Sequence, residues 1–166
     1  ATPPDFESLC LQELSNLHPV VGQAREVLGG VEFKGRLEDC YRANLSLHLP
    51  NRILMRIDAF KSTNFRQLER KVGEIPWELY LYAGSLLKVH VTTKHCRLHH
   101  SSAISERFQK TIATRLSGIK HAEEPPKIAA AEQNIFVRGT DDRFTVSIDS
   151  SDDLLYKRGL KKHTGK

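Results

Sequence analysis

Residues 86–117 read LLKVHVTTKHCRLHHSSAISERFQKTIATRLS, and the fold turns on how this stretch is read. From Leu87 to Val91 apolar and polar residues alternate, which is the period of a half-buried strand. A basic connection follows, Lys94-His95-Cys96-Arg97-Leu98-His99-His100. Beyond it Ala103, Ile104, Phe108, Ile112, Ala113 and Leu116 fall at the spacing of a one-faced helix. Ser101 or Ser102, the latter with Glu106, is placed to cap its start, and Gly118 to end it. From Lys88 to His121 there are seven Lys/Arg against one acid, Glu106, and five histidines (90, 95, 99, 100, 121) add to them.

That imbalance is local. Residues 1–60 carry six Lys/Arg and eight Asp/Glu, so the basic character belongs to the later part of the chain. An acidic set, Asp141, Asp142, Asp149, Asp152 and Asp153, comes after it. The last ten residues add five more basic groups and no acid. A neutral half followed by a basic half points to a polyanion partner, with a solvated face as the bland alternative. A chain of 166 residues holds one large domain or two small ones. No apolar run approaches the length of a membrane span, and no signal-like segment follows a basic start. Cys10, Cys40 and Cys96 are far apart and odd in number, as expected of free thiols in a reducing, cytoplasmic setting.

From the start, Asp5 reads as a helix cap, and Phe6, Leu9, Cys10, Leu14 and Leu17 as one apolar stripe that His18-Pro19 stops. Val20–Leu28 and Val31–Phe33 are extended runs about Gly29-Gly30, a hairpin signal. A second helix starts near Leu37 and closes at Pro50, and a strand covers Ile53–Phe60. This order lacks only a leading strand to be the split unit of ferredoxin-like domains. Ala1-Thr2 is therefore read as the stub of a strand whose first part lies before this sequence. Thr63–Ile75 is a helix capped by Asn64, and Pro76-Trp77 breaks it. A polar connection with Pro125-Pro126 follows Gly118, and Ile128–Ala131 is a short strand or turn. Asn134–Thr140 and Arg143–Asp149 are two strands about Asp141-Asp142, and Leu154–Arg158 is a last strand.

Several runs together resemble one family. They are Pro3-Pro4-Asp5-Phe6-Glu7, Gly29-Gly30-Val31-Glu32-Phe33, Cys40-Tyr41-Arg42-Ala43-Asn44-Leu45, Asn51-Arg52-Ile53-Leu54-Met55, Pro76-Trp77-Glu78, Arg97-Leu98-His99-His100-Ser101-Ser102-Ala103-Ile104 and Leu155-Tyr156-Lys157-Arg158-Gly159. In this order they resemble the N-terminal half of bacterial ribosomal RNA guanine-N2-methyltransferases that carry a THUMP domain. The resemblance implies an α+β chain: a ferredoxin-like domain over residues 1–61, a THUMP RNA-binding domain over 62–158 and a linker over 159–166. It further implies that a methyltransferase domain binding S-adenosylmethionine lies outside this chain. The glycine-rich cofactor loop and the Asn-Pro-Pro-Tyr-type motif of that domain have no counterpart in this sequence. The implied role is capture of structured, ribosomal RNA with presentation of a guanine, with no cofactor and no catalytic residue in this chain.

The residues expected to touch RNA are Lys94, Arg97, Arg107, Lys110 and Arg115 through phosphates, His99 and His100 through phosphate or 2′-hydroxyl groups, and Arg138 from the late hairpin. Aromatic residues are few, so stacking is not expected to dominate. Two alternatives stand beside this: a module docking an acidic protein on the basic face, and a small enzyme centred on the histidine-rich turn. His95, Cys96, His99 and His100 crowd one turn without the second ligand pair that zinc sites use, so no metal is expected. Gly159–Lys166 has five residues between its glycines and no Ser/Thr after its lysine, which rules out a phosphate loop. Cys10 and Cys40 lie on apolar helix faces, the paired aspartates are turn formers, and Trp77 is a core anchor.

Overall fold

The structure, a computed structural model, describes residues 1–17, 22–82, 84–118, 132–151 and 154–157. The chain forms two compact units, one of residues 1–55 with 149–166, the other of residues 56–148.

In the first unit α1 (Glu7–Ser15) buries Cys10 and Leu14. Burial pushes the Cys10 thiol pKa up, which keeps it a neutral, core-packed group. Asp5 is not the cap: it adopts a left-handed φ of 67°, and Phe6 stands at the cap position without a side-chain bond. β1 (Gly22–Val27) and β2 (Gly30–Lys34) form the expected antiparallel hairpin. Gly29 supplies its turn with a φ of +81° that L side chains rarely adopt. α2 (Leu37–Ser46) packs Cys40 and Ala43 with Leu14, Leu47, Ile53 and Leu155 into one core. The buried Asn44 is satisfied by the Cys40 carbonyl at 3.0 Å and Ser150 Oγ at 2.8 Å. Thr2 N donates to the Gly29 carbonyl at 3.0 Å, and the Ala1 carbonyl accepts from Asn51 N at 2.9 Å. Ala1-Thr2 is thus tied to the hairpin turn at Gly29 and to the segment at Asn51-Arg52, without being part of the β1-β2 sheet.

The strand expected to complete this first sheet does not join it. β3 (Leu54–Lys61) is the edge of a four-stranded sheet ordered β3-β6-β5-β4, with β4 (Leu87–Lys94), β5 (Gln133–Thr140) and β6 (Arg143–Asp149). The first sheet, among the described residues, has two strands. Sheet membership is set by hydrogen bonds to distant segments, which a local pattern does not carry.

In the second unit β4 runs parallel to β5, with α4 (Ser101–Ser117) lying between them in the chain. β5 and β6 pair antiparallel about Asp141-Asp142, whose φ values of 49° and 61° are those of a tight two-residue hairpin turn. α3 (Phe65–Glu74) starts at Asn64, whose side chain accepts from Gln67 N at 2.9 Å. α3 and α4 cover the same sheet face. Leu68, Val72, Ile104, Phe108, Ile112 and Leu116 pack there on Val89, Ile135, Val137, Phe144 and Val146. Each of these side chains contributes about 1.5–3 kcal/mol by leaving water. Trp77, in the short 3-10 helix Trp77–Leu79, is fully buried and donates from its ring nitrogen to the Val72 carbonyl at 2.7 Å. It is the core anchor expected.

Three details differ from expectation. α4 starts at His100 rather than at a serine cap, with no side-chain bond there. Gly118 ends it at an ordinary φ of −78°, so left-handed freedom is not used. Leu155–Lys157 is a 3-10 turn, not a strand. The expectations for His18-Pro19, Pro125-Pro126, Ile128–Ala131, Asp152-Asp153 and the basic tail from Arg158 lie outside the described residues.

Candidate nucleic-acid interface

One end of the second unit's sheet gathers the ends of β3, β4 and β5 and the start of β6. The turn there is fastened from both sides. Asp141 N donates to the Lys94 carbonyl at 3.1 Å, and Ser62 N to the Asp142 carbonyl at 2.9 Å. The basic loop after β4 is tied to the same turn, because Asp142 Oδ1 accepts from Arg97 N at 2.7 Å. His95, at a left-handed φ of 53°, turns the chain so that this bond closes. Lys94, Arg97, His99 and His100 consequently stand together and exposed. Arg97 Nε lies 3.6 Å from Asp142 Oδ2, but its side chain remains 75% exposed, so the pair is weak and a phosphate can replace it. His99 Nδ1 is 3.2 Å from the Arg97 carbonyl, and its ring sits 4.2 Å from that of His100. Cys96 is turned toward the core and is separate from these histidines.

The cations of α4 are not all part of this group. Arg107 pairs with Glu69 and lies 4.5 Å over the Phe65 ring, so it ties α4 to α3. Arg115 holds the Glu78 carboxylate with two bonds, at 2.9 and 2.7 Å, and also donates to the Gly73 carbonyl. The hydrogen bond from Arg115 draws the Glu78 pKa down to about 2 and raises that of the guanidinium. Lys110, three residues from Arg107, points outward and is exposed. Of the three helix cations expected at the surface, two therefore meet acids on neighbouring elements.

Arg138 stands on the sheet face away from the helices, because Val137 and Gly139 beside it point inward. There it meets two cations that sequence reasoning did not single out, Lys61 and Arg143. With Thr140, Asp141 and Thr145 these three line a shallow concavity of about 470 Å³. Lys61, Lys94, Arg138 and Arg143 have no ion-pair partner among the described residues. The signal for Arg143 was present in the hairpin pattern, since a two-residue turn places it opposite Thr140 on Arg138's face.

Residues 1–54 match the family described as RlmL ferredoxin-like domain. The chain is 30% identical over 161 residues to the ribosomal RNA large subunit methyltransferase K/L of Syntrophotalea carbinolica, covering 96% of this chain and 22% of that protein. It is 27% identical to the enzyme of the same name from Methylococcus capsulatus, again over 22% of its length. The chain is homologous to the N-terminal, ferredoxin-like and THUMP region of K/L-type ribosomal RNA methyltransferases. It spans about a fifth of the length of those curated relatives. Among solved structures it is similar to a Listeria monocytogenes protein described as a predicted N6-adenine-specific DNA methylase, with a TM-score of 0.80 and 26% identity, over 100% of this chain and 42% of that one. SMU.472, solved in complex with SAH, gives a TM-score of 0.78 at 26% identity, over 95% and 42% of the two chains.

Within this K/L-like region Lys61, Lys94, Arg97, Arg138 and Arg143 lie after the matched ferredoxin-like residues, in the second unit. Among the described residues no helix is long and apolar enough to cross a membrane.

Proposed function

We propose that this chain is the RNA-capturing portion of an S-adenosylmethionine-dependent ribosomal RNA guanine-N2-methyltransferase, acting in the cytoplasm. It holds structured RNA and presents a guanine to a catalytic domain outside residues 1–166. In this reading the THUMP portion does the holding, and the methyl donor binds in the catalytic domain. The observation that carries the reading is the exposed group Lys94, Arg97, His99 and His100 at one end of the sheet, continued by Lys61, Arg138 and Arg143. Exposed cations that are unpaired, or like Arg97 only weakly paired, neutralise phosphates and release counterions, which is the physical basis of backbone binding. Shape and 2′-hydroxyl contacts then do most of the selecting. Arg107 and Arg115 act by holding α4 in place.

The test is a gel-shift titration of the chain with a ribosomal RNA hairpin across a salt series. Affinity falls steeply with salt, and Arg97→Ala lowers both the affinity and the salt slope. Indifference to RNA, with capture of an acidic protein instead, overturns the reading.

A further inference from the structure

The two aspartates of the β5–β6 turn share a backbone conformation and differ in their surroundings. Both adopt left-handed φ values, 49° and 61°, where asparagine or glycine serves as well, so the turn itself asks for no carboxylate. The Asp141 side chain is 75% exposed and approaches His95 at 3.6 Å, whereas that of Asp142 is only 15% exposed. Asp142 faces the loop that follows β4. Its Oδ1 accepts from Arg97 N at 2.7 Å, while Oδ2 lies 3.6 Å from Arg97 Nε, too far for a hydrogen bond. Arg97 stands between Cys96, partly buried against the core, and Leu98, which is buried in it. Its own side chain is left outward, and the carboxylate fixes the amide behind it. Two further ties of the loop are longer: Thr93 Oγ1 to the His99 carbonyl and Cys96 Sγ to the Lys94 carbonyl, both at 3.4 Å.

We infer that Asp142 is a positioning residue for RNA with two separable actions: its bond to Arg97 N sets the loop before RNA arrives, and its charge holds the place at the Arg97 guanidinium that a phosphate takes over. The inference rests on the RNA-capture reading above and adds to it a residue of the wrong charge for a polyanion. A loop ordered in advance loses less conformational freedom on binding. The guanidinium, by contrast, leaves one anion to meet another, so the carboxylate subtracts from the gain at Arg97. One side chain thus strengthens binding through its oxygen acceptor and weakens it through its charge.

Two substitutions at this one position separate the actions, because both suit the left-handed turn and keep its backbone bonds to Lys94 and Ser62. Asp142→Asn retains an oxygen acceptor and drops the charge, and Asp142→Gly drops both. Each is titrated in the 166-residue chain with the ribosomal RNA hairpin, and circular dichroism confirms that each is folded. Asp142→Asn binds about threefold more tightly than the wild type, the size expected from releasing an exposed ion pair. In an Arg97→Ala background that gain disappears, whereas a general relief of repulsion would persist. Asp142→Gly binds about tenfold more weakly than Asp142→Asn, because RNA must then order a loop that the bond no longer holds. Amide hydrogen exchange at Arg97, read without RNA, is slow in the wild type and in Asp142→Asn and fast in Asp142→Gly. Equal affinities for Asp142→Asn and Asp142→Gly, or fast exchange at Arg97 in the wild type, overturn the positioning role. A gain that survives Arg97→Ala overturns the exchange at the guanidinium. Each of these leaves RNA capture standing, whereas a wild-type chain that binds no RNA overturns both.

Discussion

On one side of the second unit's sheet, Arg107 and Arg115 reach from α4 to Glu69 and Glu78. On the other, Arg138 and Arg143 line a concavity with Lys61, Thr140, Asp141 and Thr145, and neither forms an ion pair among the described residues. The residue types are the same and the surroundings opposite. Around the first pair the side chains are partly exposed, and each guanidinium is held by a carboxylate from a neighbouring element above the core of Leu68, Val72, Phe108 and Trp77. Over the second pair lies solvent, where a cation needs no partner and is available to a phosphate. The comparison teaches that a basic stretch is read by what stands opposite each charge, not by how many charges it holds.

Several changes would break this contrast on the covered face. Trp77→Ala has the largest effect, a loss of about 3–5 kcal/mol in denaturant unfolding, because it empties a fully buried site and removes the indole hydrogen bond to the Val72 carbonyl. RNA affinity of the fraction still folded stays at the wild-type level. Gly139→Val comes next. A Cβ there would lie 2.9 Å from Phe144 and 3.0 Å from Cys96 Sγ, so overpacking costs about 1–3 kcal/mol in the same assay. The Arg115–Glu78 pair gives a smaller, pH-dependent effect. Its carboxylate is held below its ordinary value, so the stabilisation is complete above about 4.3 and is lost as pH falls toward about 2. The melting-temperature gap between the wild type and Glu78→Gln is widest near neutral pH and closes through that window. A constant gap would show that the pair does not hold α4.

Much of the fold was legible because its elements carry their own period. Ile104, Phe108, Ile112 and Leu116 announce α4, and the alternation of Leu87–Val91 announces β4. Asn64 and Asp141-Asp142 mark a cap and a turn by side-chain chemistry alone. What was not legible depends on partners far along the chain. β3 looked like the last strand of the first domain until its bonds placed it beside β6. Arg107 and Arg115 looked free because Glu69 and Glu78 belong to other elements. Lys61 and Arg143 raise no local charge density, and only strand register brings them to Arg138. His90 and Phe136 likewise become one stacked surface through the parallel pairing of β4 with β5.

The smallest stability effect sharpens the contrast most. The double variant Arg138→Ala with Arg143→Ala removes two exposed cations that touch no core residue, so unfolding free energy stays within about 0.5 kcal/mol of the wild type. Its RNA salt slope, measured on the same preparation, falls by about two units, close to one for each phosphate that is no longer neutralised. A matching pair on the covered side, Arg107→Ala with Arg115→Ala, behaves the other way. It lowers the melting temperature, because Glu69 and Glu78 are left without their partners, and it leaves the slope nearly unchanged. If both double variants moved the slope alike, the cations of α4 would be meeting RNA after all, and the distinction between the two faces would reduce to burial.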